Sequence, residues 1–284
     1  MPLKEITPDD MLARVLYRDG LMLIVDKPAG LPVHRGPKGG ASLEDYFDVL
    51  RFGLPRPPAL AHRLDKDTSG CLVLGRHRKA LAHLGLLFKH GKVGKTYWAI
   101  VEGGPDTDEG TIDLPLGRLD ETRGWWMKPD PRGLPSVTTW KVLGRGSSLT
   151  VTDLRHNSAP NFSSPPCDEG EAPVRTAPKG MALTSPRCPA SGDGEMTWLA
   201  LTPVTGRTHQ LRVHCAASGW SIVGDNIYGT APRFGRPLQQ LHAREIVVPI
   251  SKNKPPVRVT APTPAHMRDL LRACGWTGET PAAQ

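Results

Sequence analysis

The chain of 284 residues lacks any apolar run near the roughly 18 residues needed to span a bilayer. Its start, MPLKEITPDD, has no apolar signal core. Five cysteines are present (Cys71, Cys167, Cys188, Cys215, Cys274), and no two form a Cys-x-x-Cys pair. An odd count without a framework argues against a disulfide-stapled secreted scaffold and for a reducing compartment. A soluble, cytoplasmic protein without a membrane partner is therefore expected. His156, Cys167 and Cys188 match no zinc spacing. His209 and His214 stand five apart with no acid between them, unlike the i, i+4 ligand pair of a metal helix. No metal site is expected, and no internal repeat is visible.

Charge, by contrast, is plentiful and lopsided. Thirty-six Lys and Arg face 28 Asp and Glu, giving a formal net charge of +8 and a pI near 9.4. This balance favours an anionic partner, of which nucleic acid is the commonest. The 38% hydrophobic content is ample for a core. From His156 to Glu195 the composition turns to Pro, Ser and Gly without periodicity. Such a stretch buries too little apolar surface to offset its ordering entropy, so it reads as a disordered insertion. It holds five acids and three bases, which leaves the rest of the chain at +10. The basic character therefore belongs to the folded part.

Strand signals dominate that part. In RVLYRDGLMLIVDKPAG two short apolar runs flank Asp19-Gly20, a hairpin turn pair. Ser42 to Arg51 reads as a helix with Ser42 as N-cap and Asp45 three residues on. HRKALAHLGLLFKHG places Leu81, Leu84, Leu87 and Phe88 at helical spacing and stops at Gly91. KTYWAIVEG, GTIDLPLG, VTTWKVLG, TWLALTPVTG and LHAREIVVPI read as strands. TGRTHQLRVHCAASG reads as a helix after Gly206 that carries Arg207, His209, Arg212 and His214. APTPAHMRDLLRAC reads as a final short helix, and the tail 277–284 as frayed. Many strands with a few interspersed helices predict an α+β fold with a mostly antiparallel sheet, arranged as one domain over residues 1–276.

The stretch LAHRLDKDTSG, from Leu60 to Gly70, sets two carboxylates directly before the apolar run CLVLG. Asp65 lies between Arg63 and Lys66. A second basic cluster, GRTHQLRVH, can reach it only through the fold. A carboxylate held against an Arg is favoured in its ionised form, and in a partly desolvated cleft it is suited to attack a sugar C1′. A turn or cap role is the plain alternative. Asp67 reads as structural, capping the loop through Thr68 or Ser69 backbone groups.

These residues carry a resemblance. HRLDKDTSG is similar to the central motif of the RluA-type family of RNA pseudouridine synthases. VLYRDGLMLIVDKPAGLPVH resembles that family's opening motif. GKTYWAIVEG resembles the segment with its active-site tyrosine. TGRTHQLRVHCAASGWSIVGDNIYG and LHA resemble its C-terminal motifs. Order and approximate spacing agree from Leu16 to Ala243. The resemblance implies a bisected, largely antiparallel sheet flanked by helices around a central cleft. It implies isomerisation of a uridine within RNA to its C5-glycoside, with no metal or organic cofactor. It places the catalytic aspartate on Asp65 and the uracil-stacking tyrosine on Tyr97, which is also a candidate acceptor of the C5 proton. It places on Arg212 an arginine expected to pair with Asp65. Arg63 is then expected to contact RNA or to fill the gap left by a flipped base. The first step is either attack of Asp65 on C1′ or abstraction of the C2′ proton.

On this reading the partner is ribosomal RNA, transfer RNA or both, and the protein is a monomer. The segment before Arg14 is too short for the separate RNA-binding domain that many members carry. The rival reading is a catalytically silent RNA-binding chaperone on the same fold. The basic residues Arg76, Arg78, Lys79, Lys89, Lys92 and Lys95 are either phosphate contacts or a solvated face. His209 and His214 read as phosphate contacts or packing. Trp125 and Trp126 read as packing at the sheet edge, with base stacking as the alternative.

Overall fold

The computed structural model describes residues 6–36, 39–119, 126–147, 194–232, 237–251 and 253–278. The first hairpin joins β1 (Val15–Arg18) and β2 (Met22–Lys27). Its turn is held by Asp19, whose Oδ1 accepts from the Leu21 and Met22 N–H groups at 2.7 and 2.8 Å. Strands β3 (Ala59–Leu60), β4 (Ser69–Gly75), β5 (Gly94–Glu102), β6 (Glu109–Asp113), β7 (Leu116–Arg118) and β8 (Met127–Pro129) follow. The remaining strands are β9 (Val137–Ser147), β10 (Glu195–Pro203), β11 (Leu241–Val248) and β12 (Val257–Thr260). The helices are α1 (Pro8–Leu12), α2 (Arg78–Lys89), α3 (Gln210–Ala217) and α4 (Ala265–Ala273).

Among the described residues, ten strands form one sheet with the path β1-β2-β4-β11-β5-β10-β9-β6. Strand β3 adds to β4 and β12 to β11. All pairings are antiparallel except β4 with β11, which meet only through Ser69–His242 and Gly70–Ala243. This short parallel contact bisects the sheet. Gly70 is required there: its φ is +105°, and a Cβ would lie 2.3 Å from the Ala243 carbonyl oxygen. Register then sets a row across the sheet. Ala243 pairs with Tyr97 of β5, and Tyr97 with Leu201 of β10. The start of β4 and Tyr97 are thus one strand apart.

Strand β4 is buried along its whole length. Leu72 and Leu74 enter the core with Leu23, Val25, Leu43 and Leu50, while Cys71 and Val73 face Met22, Ile24, Leu84 and Ile246 on the other side. A strand covered on both faces shows an unbroken apolar run rather than alternation, as CLVLG does. Each fully buried Leu or Val contributes about 1.5–3 kcal/mol, so the strand that carries the Asp65 loop is a firm support.

Four expectations need correction. Ser42–Arg51 is not one α-helix but two single-turn 3₁₀ segments, Leu43–Tyr46 and Val49–Arg51. The Asp45 carboxylate accepts the Ser42 N–H at 2.8 Å and tightens the first turn, and Phe52 at φ +46° ends the second. Helix α3 starts at Gln210, so Arg207 and His209 lie in the loop before it. Glu195 belongs to β10, where it pairs with Ser147, and not to the inserted stretch. Asp67 makes no cap hydrogen bond among the described residues; Thr68 N–H goes to the Asp65 carbonyl instead, at 3.2 Å. Positions 156–193, including His156, Cys167 and Cys188, together with Trp125 and 279–284, lie outside the described residues.

Candidate active site

The polar stretch before β4 is a loop pinned from below. Leu64 points into the core, and its neighbours Arg63 and Asp65 turn outward to a cleft of about 280 Å³. The loop is fixed at the Lys66 carbonyl, which accepts from Gly30 N–H and from Lys27 Nζ, each at 2.9 Å. Lys27 is fully buried and also donates to the Pro28 and Leu31 carbonyls at 2.8 Å. Burial lowers its ammonium to about 7, while Asp67, Asp65 and Asp26 oppose that shift. Three carbonyls consume its three N–H donors, whereas a neutral amine would leave one unpaired. On the other flank His62 Nε2 accepts from Val73 N–H at 3.0 Å, and its ring stacks on Phe88.

Asp65 sits in this cleft with 21% of its side chain exposed, open enough to meet a ligand and partly desolvated. Arg212 Nη1 lies 3.5 Å from its Oδ2, and His209 Nε2 lies 3.7 Å from the same oxygen. The expected pair of Asp65 with Arg212 is therefore a charge contact rather than a tight hydrogen bond. The principal partner of Arg212 is Asp225. Nε and Nη2 donate to its two oxygens at 2.7 and 2.8 Å, a bidentate pair.

Asp225 in turn sits in a tight turn. Its Oδ1 also accepts the Ile227 and Tyr228 N–H groups, and its Oδ2 accepts from Gln239 at 3.2 Å. Burial by itself raises this carboxyl, but the Arg212 hydrogen bonds and charge and the two backbone donors outweigh it and hold it below its ordinary value. Burial weakens the Arg212 charge, and Asp225 with Asp65 more than restores it. One buried cation thus spans two carboxylates, saturated by one and turned toward the other.

Tyr97 reaches the same cleft from β5 and packs against both adjoining cores. Burial, reinforced by the negative charge of Asp65, raises its phenol, so it stays protonated at neutral pH. Arg63 is exposed at the rim, and Lys95 is half-buried in the wall. The structure thus brings Asp65, Arg63, Tyr97 and Arg212 to one cleft.

Of the basic residues in doubt, Arg76 is an anchor. It donates to the Asp19, Arg51 and Phe52 carbonyls. His214 is buried packing, held between Thr138 Oγ1 and the Leu114 carbonyl at 3.0 Å each. His209 is no surface phosphate contact: its side chain is 7% exposed and faces Asp65. Trp126 is half-buried, and its carbonyl accepts from Leu119 N–H at 2.7 Å.

Sequence reasoning missed Asp225, Tyr228 and Lys27. GDNIYG passes for a Gly-punctuated loop, yet an Asp between glycines is a turn former whose carboxylate caps the N–H groups two and three residues on. Asking which acid answers a buried helical Arg is the signal that finds it.

Comparison with known proteins agrees with this geometry. Residues 21–217 match the family described as RNA pseudouridylate synthase. An uncharacterized RNA pseudouridine synthase of Zymomonas mobilis is 37% identical over 259 residues, covering 90% of this chain and 96% of its own. The ribosomal large subunit pseudouridine synthase C of Vibrio cholerae is 30% identical over 90% of this chain and 68% of its own. The solved structure of human RNA pseudouridylate synthase domain containing 1 shares the fold, with a TM-score of 0.63 at 24% identity. It covers 98% of this chain and 100% of that one. No described helix is long and apolar enough to cross a membrane. The chain belongs to the RluA-type family of RNA pseudouridine synthases, isomerases that act on uridine in RNA.

Proposed function

We propose that this isomerase modifies uridine in ribosomal RNA, with Asp65 as the reacting carboxylate. The observation that carries the proposal is the placement of Asp65. It is a partly exposed carboxylate at a cleft, 3.5 Å from a buried arginine whose Nε and Nη2 already donate to Asp225. Arg212 orients Asp65 without neutralising it through a bidentate grip.

The reaction requires the glycosidic bond to break, the uracil to turn, and C5 to bond to C1′. Asp65 serves either as nucleophile at C1′ or as base at C2′. The detached base must stay in the cleft. Tyr97 supplies a ring face for it, and a protonated phenol suits stacking better than proton abstraction. A uridine within a helix must first leave the stack, and a guanidinium plane such as that of Arg63, exposed at the cleft rim, suits the space left behind. The ribosomal choice rests on the Vibrio cholerae relative, whose name refers to the large ribosomal subunit.

The test is tritium release from RNA labelled at uridine C5, because forming the C5-glycoside expels that hydrogen. Ribosomal and transfer RNA transcripts are supplied separately, with Asp65→Ala and Asp65→Asn as controls. Release from ribosomal RNA by the wild type alone is expected. Release by the Asp65 variants overturns the role of Asp65. Release from transfer RNA only overturns the substrate class.

A further inference from the structure

Two groups approach the Oδ2 atom of Asp65, and the mechanism above uses only one. The second is Nε2 of His209, at 3.7 Å. Its position is built. Gln210, buried at the start of α3, spends its whole amide on the preceding loop and on β9. Nε2 donates to the Val137 carbonyl and Thr138 Oγ1, and Oε1 accepts from Thr205 Oγ1 and Arg207 N–H. That lock holds His209 in the left-handed region, at φ +52° and ψ 17°. A non-glycine residue is strained there, and such strain persists where surrounding contacts over-determine it. The outcome is a ring turned away from the helix face and toward Asp65.

The far side of the ring is fixed as well. Tyr228 lies edge-on to the imidazole, with its oxygen 2.8 Å from Nδ1. That oxygen already accepts the Met127 N–H at 3.0 Å. A phenol has one proton to give, and among the described residues the acceptor within reach is Nδ1. Tyr228 therefore donates to Nδ1, and in a neutral imidazole the proton sits on Nε2, the nitrogen that faces Asp65. Burial favours the neutral ring and the Arg212 charge reinforces it, against the pull of Asp65.

We propose that His209 is a positioning residue for this isomerase: held by Tyr228 as its Nε2–H tautomer, it acts with Arg212 to fix the rotation of the Asp65 carboxylate toward the sugar. The separation of 3.7 Å is longer than a hydrogen bond, and contacts of this kind tighten when substrate enters. A neutral donor adds direction without adding charge. Asp65 thus gains no further cation beside its contact with Arg212, already shared with Asp225, and remains reactive. The inference rests on the reading of Asp65 as the reacting group.

Two measurements test it on the full-length protein. The first is the ¹⁵N resonance pair of His209 after histidine-selective labelling, assigned by loss in His209→Gln. The expected pattern at neutral pH is a bare Nδ1 and a protonated Nε2, and Tyr228→Phe should mix the tautomers. A protonated Nδ1 in the wild type overturns the proposal.

The second is steady-state tritium release. His209→Leu should lower kcat about tenfold or more with KM for RNA within about twofold, while His209→Gln, which keeps an N–H donor near Nε2, restores most of the turnover. Equal turnover of the Leu and Gln variants overturns the proposal. Should His209→Leu fail to fold, Tyr228→Phe takes its place: reduced kcat with unchanged KM supports the role, and wild-type kcat overturns it. Wild-type release by Asp65→Asn would instead sink the reading of Asp65, whatever the tautomer of His209.

Discussion

Arg212 gives Nε and Nη2 to Asp225 at 2.7 and 2.8 Å and turns its remaining nitrogen to Asp65 at 3.5 Å. The two carboxylates differ by environment. Asp225 has a side chain 1% exposed and every strong donor nearby, whereas Asp65 is 21% exposed with looser contacts. An acid that is fully satisfied is a poor nucleophile. On the proposed function, this division leaves Asp225 to hold the arginine and Asp65 to meet the ligand.

Replacement of Asp225 by Asn tests that division. The amide keeps the shape but leaves a buried guanidinium with Asp65 as its remaining acid. Breaking a buried pair from one side costs about 3–5 kcal/mol, and the loss here should reach the lower part of that range because the Asn oxygen still accepts the Ile227 and Tyr228 N–H groups that hold the turn. Arg212 should then draw in on Asp65, and turnover should fall on the order of a hundredfold through misplacement of the carboxylate. Urea unfolding and single-turnover tritium release measure the two effects. Unchanged turnover in a destabilised variant would reduce Asp225 to a structural role.

Much of this arrangement was legible in the residues, and the gaps have a common cause. Strands such as CLVLG and KTYWAIVEG declare themselves by local composition, and Asp19-Gly20 by turn chemistry. HRLDKDTSG and GRTHQLRVH announce polar density, from which Asp65, Tyr97 and Arg212 follow with the family resemblance. What sequence order hides is partnership. Lys27 is bound to the Lys66 carbonyl across 39 positions, and Arg212 to Asp225 through a loop held on β5, where Ile222 bridges to Val101 and the Val223 N–H donates to the Ile100 carbonyl. The helix expected from Gly206 starts late for a similar reason. Gln210 is drawn to Val137 and Thr138, some 70 residues earlier, and this tertiary lock overrides the local helical pattern before it.

Tyr97 separates binding from chemistry. In the proposed function its ring is the part offered to a base, and its hydroxyl makes no hydrogen bond among the described residues. Tyr97→Phe should therefore leave RNA affinity within about twofold, while Tyr97→Ala should lose about 1–3 kcal/mol of binding by removing a stacking face. Equilibrium titration of RNA against each variant in an Asp65→Asn background reads affinity without turnover. Any fall in the turnover of Tyr97→Phe alone then belongs to the oxygen atom. Equal affinity of the Phe and Ala variants would remove Tyr97 as the stacking platform.

His62 gives the fold an acid limit. Its Nε2 accepts the Val73 N–H at 3.0 Å, and its ring lies 4.4 Å from that of Phe88. Burial first, then the charge of Lys95, pull the imidazole down from 6.5 to about 3. In the unfolded chain it titrates near its ordinary value of about 6.5. Above that pH both states hold a neutral ring, and its contribution to stability is complete. Between 6.5 and about 3 the unfolded chain takes up a proton that the folded chain refuses, so stability falls as the pH falls. His62→Gln keeps an acceptor for Val73 and cannot titrate. Urea unfolding of both proteins at steps from about pH 8 to about pH 4 should show the wild type losing stability relative to the variant on the acid side. His209 and His214 are also depressed by burial, but they are common to both proteins and cancel in the difference. Parallel stability curves would mean that the half-buried ring accepts its proton in place, through a rearrangement that frees Nε2 from Val73.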